Sequence, residues 1–214
     1  MSEQSQRHDP YAALRLPEFR YFIAGRFVFI MGLRMTGTVI GWWVYLLTGS
    51  PLALGLVGLS EVIPAVSLAL YAGQYIDRNE KRQLLLRCIL LYLCCIGLFI
   101  FLSSPSMNQK LDPWTTSLII FGVIAATGAI RSFSGPTFSS LIAHIVPREN
   151  LPSAAAISSA TWLVGSICGH ALAGFLIAWI GIHDSFFVVL LFTGLGYILL
   201  SRIQPKPVLV TGKA

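Results

Sequence analysis

The sequence predicts an all-α membrane protein with six transmembrane helices. Three observations carry this expectation. Hydrophobic residues make up 55% of the 214-residue chain and charged residues 11%, against roughly 25% charged residues in soluble domains; mean hydropathy is +0.73. Six apolar runs, at 21–47, 52–76, 84–103, 114–143, 153–180 and 185–200, are each near the about 20 residues a helix needs to cross the hydrocarbon core. The cations gather in alternate connections. The chain is long enough for one or two soluble domains, but the apolar runs are too long for that. The net charge of +6 does not point to nucleic acid, because the cations flank apolar spans and form no basic face.

In order, residues 1–20 form a polar cytoplasmic segment, 21–203 the six-helix bundle, and 204–214 a cytoplasmic tail or the start of a linker. Met1 to Glu18 are polar and charged, with no apolar stretch before a small-residue cleavage site, so no separate signal peptide is expected. Turn chemistry separates the runs: Thr48 to Pro51, Ser104 to Pro113, Pro147 to Pro152, and Gly181 to Asp184. One set of connections holds Arg7, Arg15, Arg20, Arg78, Lys81, Arg82, Arg87, Arg148, Arg202, Lys206 and Lys213; the other holds Lys110 alone. Cations concentrate on the cytoplasmic side of membrane proteins, so both termini are expected there.

Polar residues inside the runs are the candidate site. Arg34 lies near the middle of the first run, and an intramembrane Arg costs about 2.5–3.5 kcal/mol on insertion scales. It needs a partner or a wet cavity. Glu61 in the second run lies within about one helical turn of the same depth at 1.5 Å per residue. An Arg34–Glu61 pair facing a cavity is expected; Glu61 as proton carrier and a static ion pair are the alternatives. Arg26 is shallower and is expected to snorkel to the cytoplasmic face. Cys88, Cys94, Cys95 and Cys168 fall within the runs without metal-site spacing and read as small apolar residues. Trp42, Trp43, Tyr45, Trp114, Trp162 and Trp179 fall mostly near run ends and read as an interfacial belt, with the lining of a cavity for a planar organic ligand as the alternative for some of them. There is no nucleophile–His–carboxylate set, no HExxH and no glycine-rich phosphate loop, so neither an enzyme nor a cofactor or metal site is expected.

The loop with Gly73, Asp77, Arg78, Lys81 and Arg82 resembles the Gly-x-x-x-Asp-Arg-x-x-Arg/Lys-Arg/Lys signature of the major facilitator superfamily. Glu80 stands where many members have a second glycine. The resemblance implies a gating role for this cluster, locking two halves of a transporter in one state. Arg131 with Ser134 resembles the family's Arg-x-x-Gln-Gly pattern, which implies proton transfer or substrate contact. The alternative is an Arg capped by carbonyls freed where Gly135 and Pro136 kink the helix. Gly165, Gly169 and Gly174 around His170 resemble the antiporter motif and imply close helix packing. His170 replaces the family proline; it reads either as a packing residue or as a group titrating near neutral pH. Gly55, Gly58 and Pro64 after the Thr48–Pro51 turn, with Pro147 to Leu151, are similar to the drug and siderophore exporters, which include enterobactin exporters and macrolide efflux proteins.

Family members have about twelve spans in two halves, with substrate bound between them. The resemblance therefore implies an amino-terminal half, a 3+3 inverted repeat. It implies proton-coupled export of small amphipathic organic molecules across the bacterial inner membrane. The expected partners are the lipid bilayer, a small-molecule substrate and a second six-helix half. A truncated or non-transporting membrane subunit is the alternative.

Overall fold

The computed structural model describes residues 12–205. Expectations for 1–11 and 206–214, including Arg7, Lys206 and Lys213, lie outside the described residues. Among the described residues every regular element is helical. They are α1 Pro17–Thr48, α2 Pro51–Ser67, α3 Ala69–Arg78, α4 Lys81–Leu102, the single turn α5 Pro105–Asn108, α6 Pro113–Ile145 and α7 Leu151–Ser201. Short 3-10 turns sit at Ala12–Arg15 and Arg148–Asn150.

The helix ends follow local chemistry. Proline opens α1, α2, α5, α6 and α7, where its missing N–H removes no helical bond. Glu80 caps α4 by accepting from the N–H groups of Arg82 and Gln83 at 3.1 and 2.8 Å. The departure from the family glycine thus supplies a helix cap. Asp112 caps α6 through the Thr115 N–H at 3.0 Å. Gly49, at φ 62°, ends α1 with its N–H on the Tyr45 carbonyl, the left-handed helix stop that favours glycine.

Two breaks shape the bundle. The expected single run over 52–76 is instead two helices, α2 and α3, bent by 51° at Leu68. Pro64, one turn earlier, has no N–H for the Ser60 carbonyl and crowds the preceding turn. α7 has 51 residues; straight, it would be about 77 Å long at 1.5 Å per residue, far beyond a hydrocarbon core of about 30 Å. It breaks at Gly181, whose φ of 79° and ψ of −179° lie in a region essentially restricted to glycine. The break expected over 181–184 is confined to this residue, and His183 and Asp184 belong to the second arm.

Contacts fix the helix directions. Gly165 meets Phe27 and Ile30, and Gly169 meets Met31 and Arg34, so the first arm (151–180) runs parallel to α1. Gly32 meets Thr193, and Gly25 meets Leu200, so the second arm (182–201) runs antiparallel to α1. α7 is therefore a helical hairpin laid along α1. α2 runs parallel to α6: Glu61 meets Gly128, and farther along Tyr71 and Tyr75 meet Phe133. α4 runs antiparallel to the second arm, with Arg82 at Ser201, Phe99 on Phe186 and Ser103 at His183.

Aromatic rings fill the centre. Phe29 packs on Tyr92 and Phe138, and Phe186 on Trp43 and Phe99, with centroids 5.6–6.0 Å apart. The outside is apolar too: Leu70 is 88% exposed, Trp179 80% and Leu52 74%. A soluble monomer rarely exposes apolar surface on this scale. By length and composition α1, α4, α6 and α7 each suffice to cross a membrane, and the bent α2–α3 pair makes a fifth. The chain is a multi-pass helical membrane protein.

Candidate functional site

A polar recess opens inside this apolar bundle. Its charged and polar lining includes Arg34 from α1, Glu61 from α2, Tyr92 from α4, Thr127 and Arg131 from α6, and His170 from the first arm of α7. The four sequence candidates for a substrate or proton pathway, Arg34, Glu61, Arg131 and His170, thus share one wall.

Glycine brings the helices together beside these charges. A Cβ at Gly128 would overlap the backbone of Glu61, with the carbonyl carbon 2.9 Å away. A Cβ at Gly169 would stand 2.8 Å from both the Arg34 Cβ and the Met31 carbonyl oxygen. Small residues permit such backbone approach in membrane helices. Across the first contact Arg131 Nη1 donates to Glu61 Oε1 at 2.5 Å, a charge-assisted bond.

The expected Arg34–Glu61 pair is thus replaced by Arg131–Glu61. Depth was matched, but azimuth decides the partner. Glu61 lies on the face of α2 that Gly128 draws against α6, whereas Arg34 faces the first arm of α7. There its guanidinium carbon sits 5.1 Å from the ring centroid of Trp162, within cation–π range. The Arg34 Nε is buried without a hydrogen-bond partner. His170 Nδ1 lies 2.7 Å from Thr38 Oγ1, tying the first arm to α1.

Other expectations also change. Arg131 does not cap carbonyls at a kink; α6 runs unbroken through Gly135 and Pro136. The Thr137 and Ser132 hydroxyls donate to the Phe133 and Ala129 carbonyls, and Ser134 is buried. Arg26 does not snorkel outward. It donates to Ser158 and lies 5.3 Å from the Phe138 ring centroid, joining α1, α6 and α7. Gly165 and Gly169 pack against α1, but a Cβ at Gly174 would have no neighbour within 4 Å, and the buried small residue there is Ala173. The α-helical period sets this: residue 173, four after Gly169, continues the inward stripe.

The loop candidates form a separate cluster at one end of the bundle. Lys81 Nζ donates to the carbonyls of Ile76, Asp77 and Asn79 at 2.8, 3.1 and 3.2 Å, satisfying the end of α3. Arg82 Nη2 donates to the Ser201 carbonyl at 2.7 Å, capping the far end of α7. Asp77 and Arg78 are exposed. Gly73 has no neighbour within 4 Å of where its Cβ would stand. Among the described residues no His, Cys, Asp and Glu cluster suits a metal ion. The four cysteines are free.

Sequence reasoning missed Tyr92 and Gly128, and read Trp162 first as part of the interfacial belt. Trp162 carried a signal, since it falls well inside the run 153–180 rather than at its end.

Apolar helices of membrane-spanning length around a charged recess define a multi-pass membrane protein of transporter type. The transmembrane secretion effector family matches residues 8–203, and the chain belongs to this family of major facilitator transporters. No curated protein and no solved structure matches the chain.

Proposed function

We propose that the chain is the amino-terminal half of a proton-coupled exporter of small amphipathic organic molecules, working by alternating access. The observation that carries this reading is the Glu61–Arg131 pair on the wall of a recess otherwise surrounded by apolar helices. Ionisable groups are kept at such depth chiefly where they serve a pathway. Glu61 exchanges Arg131 for a proton: protonation releases the guanidinium, and deprotonation restores the pair. A second six-helix half, from a separate chain or a second copy, closes the recess, and substrate binds between the halves.

The helix directions support six crossings, made by α1, the bent α2–α3, α4, α6 and the two arms of α7. α1 and the first arm run together, α2 and α6 run together, and the second arm opposes α1 and α4, as alternation demands. The cation-bearing segments meet at one end, where Arg82 reaches Ser201 and the Gln204 N–H reaches Glu18. This supports a cytoplasmic position for both termini in a bacterial inner membrane. Asp77 and Arg78, exposed while Lys81 and Arg82 are engaged with helix ends, are the gate residues that meet the second half. Similarity to drug and siderophore exporters rests on the loop residues Thr48 to Gly58 and Pro147 to Leu151.

The test is proton-driven flux of a fluorescent amphiphile in liposomes, with this chain alone and with a second half supplied. Flux is expected to follow the proton gradient, to be lost in Glu61→Gln and to slow in Asp77→Asn, with insertion unchanged. Absence of flux in every arrangement would favour a non-transporting membrane subunit.

A further inference from the structure

We infer that the recess binds anions, and that Arg34 with Trp162 forms the subsite for the anionic, aromatic part of the transported molecule. This inference rests on reading the recess as a transport site and specifies the charge of its cargo. Charge balance is the first argument. The recess presents two guanidinium groups, Arg34 and Arg131, but Glu61 is its one carboxylate among the described residues. Glu61 is held by Arg131 at 2.5 Å, so the wall keeps one net positive charge at Arg34.

Geometry is the second argument. Trp162 positions the Arg34 guanidinium from one face, 5.1 Å from the ring centroid, and Gly169 packs against the Arg34 Cβ. The side chain is therefore fixed at its root and at its head. A cation–π contact uses no guanidinium hydrogen, and a guanidinium's donors match a carboxylate two-pronged. The Arg34 Nε is buried without a partner, so a ligand in the recess would meet the terminal Nη donors.

The surroundings favour an organic anion over an inorganic one. Leu33, Ile40, Val57 and Ile124 line the same recess, and the Trp162 ring lies against Arg34 at its margin, so an aromatic ligand held by Arg34 would have apolar surface on either side. The ligand class is therefore an aromatic carboxylate or a similar planar organic acid. A cationic amphiphile would meet Arg34 head-on without a free carboxylate to balance it.

The experiment compares three probes sharing one ring system: 1-naphthoate, neutral 1-naphthamide and cationic 1-naphthylmethylammonium. Each is titrated calorimetrically into the full chain in a non-ionic detergent. Naphthoate is expected to bind at least tenfold more tightly than the amide, and the ammonium no more tightly than the amide. Arg34→Gln is expected to reduce naphthoate to the amide level. Glu61→Gln, which frees Arg131, is expected to tighten naphthoate severalfold. Equal binding of all three probes, a preference for the ammonium, or an unchanged preference in a folded Arg34→Gln overturns the inference. If Arg34→Gln does not fold, the three-probe comparison on the unaltered chain and on Glu61→Gln decides alone. Anion preference without proton-driven flux would sink the transport reading and keep this one; proton-driven flux of a cation without anion preference would do the reverse.

Discussion

Glu61 and Arg131 have side chains 31% and 36% exposed, so their bond is neither a surface pair nor a fully buried one. Removing one partner of a fully buried pair costs about 3–5 kcal/mol, while an exposed pair contributes about 0–1 kcal/mol. Between these limits, Glu61→Ala is expected to destabilise by about 1–3 kcal/mol, read as a lower unfolding temperature in detergent. Replacing both residues, as Glu61→Gln with Arg131→Met, is expected to recover part of the loss, because no unpaired guanidinium then remains. At the N-terminus of α6 the Thr115 hydroxyl, and then its N–H, hold the Asp112 carboxyl below its usual range. A depressed folded-state value means the cap contributes fully above the unfolded value of about 4 and is lost as pH falls through the lower folded value. Hydrogen exchange at the Thr115 amide should therefore accelerate in acid relative to the middle of α6, and in Asp112→Ala the acid dependence should vanish.

Helix contacts explain why the antiporter-like glycine motif of the first arm of α7 is only partly a packing motif. At Gly169 a side chain would meet the Met31 carbonyl and the Arg34 Cβ at 2.8 Å. A backbone oxygen cannot rotate aside, so α1 and the first arm must separate. Gly169→Val is expected to cost about 1–3 kcal/mol, as overpacking does, and to disturb the Arg34–Trp162 contact. Gly174→Ala meets open space and is expected to leave the unfolding temperature unchanged or slightly raised, since alanine is the better helix former. Equal losses from both substitutions would refute the assigned helix face. This distinction was not readable from spacing alone, because both glycines match the family motif. Likewise Pro64 counted only toward a family likeness within a run expected to be continuous, and the 51° bend falls at Leu68, one turn later.

Across the whole molecule, the apolar runs and their turn residues made the helices legible, and intramembrane charge together with the motif resemblances made four recess residues legible. Partner choice was not. These helices are apolar around most of their circumference, so no polar stripe marks the inward face. Depth follows from counting residues, whereas azimuth depends on which glycines let backbones touch; that is why Arg131 and not Arg34 meets Glu61. The loop charges were equally visible by type, but not their division of labour between capping helix ends and facing outward. Accessibility tests the assembled arrangement. With Cys88, Cys94, Cys95 and Cys168 replaced, a water-soluble thiol reagent should label Gly37→Cys beside Arg34 and Gly135→Cys beyond Arg131, both exposed. It should spare Phe192→Cys on the second arm, in the middle of the sixth apolar run. Equal labelling would refute the inward position of α1 and α6.

The backbone contact between Gly128 and Glu61 constrains how such a molecule can move. At this point α2 and α6 touch main chain to main chain, with no side chain between them to compress or re-pack. Sliding one helix past the other would have to break that contact, whereas tilting about it would not. The contact acts as a fulcrum, and the ion pair sits beside it with a short lever arm, so small angular changes leave Arg131 within reach of Glu61. The far ends of the same two spans, Tyr75 on α3 and His144 on α6, lie much farther along the levers and must travel most. A bulkier residue at position 128 would meet the Glu61 main chain, so it should force α2 and α6 apart, weaken the folded bundle at least as much as Gly169→Val, and remove the fulcrum.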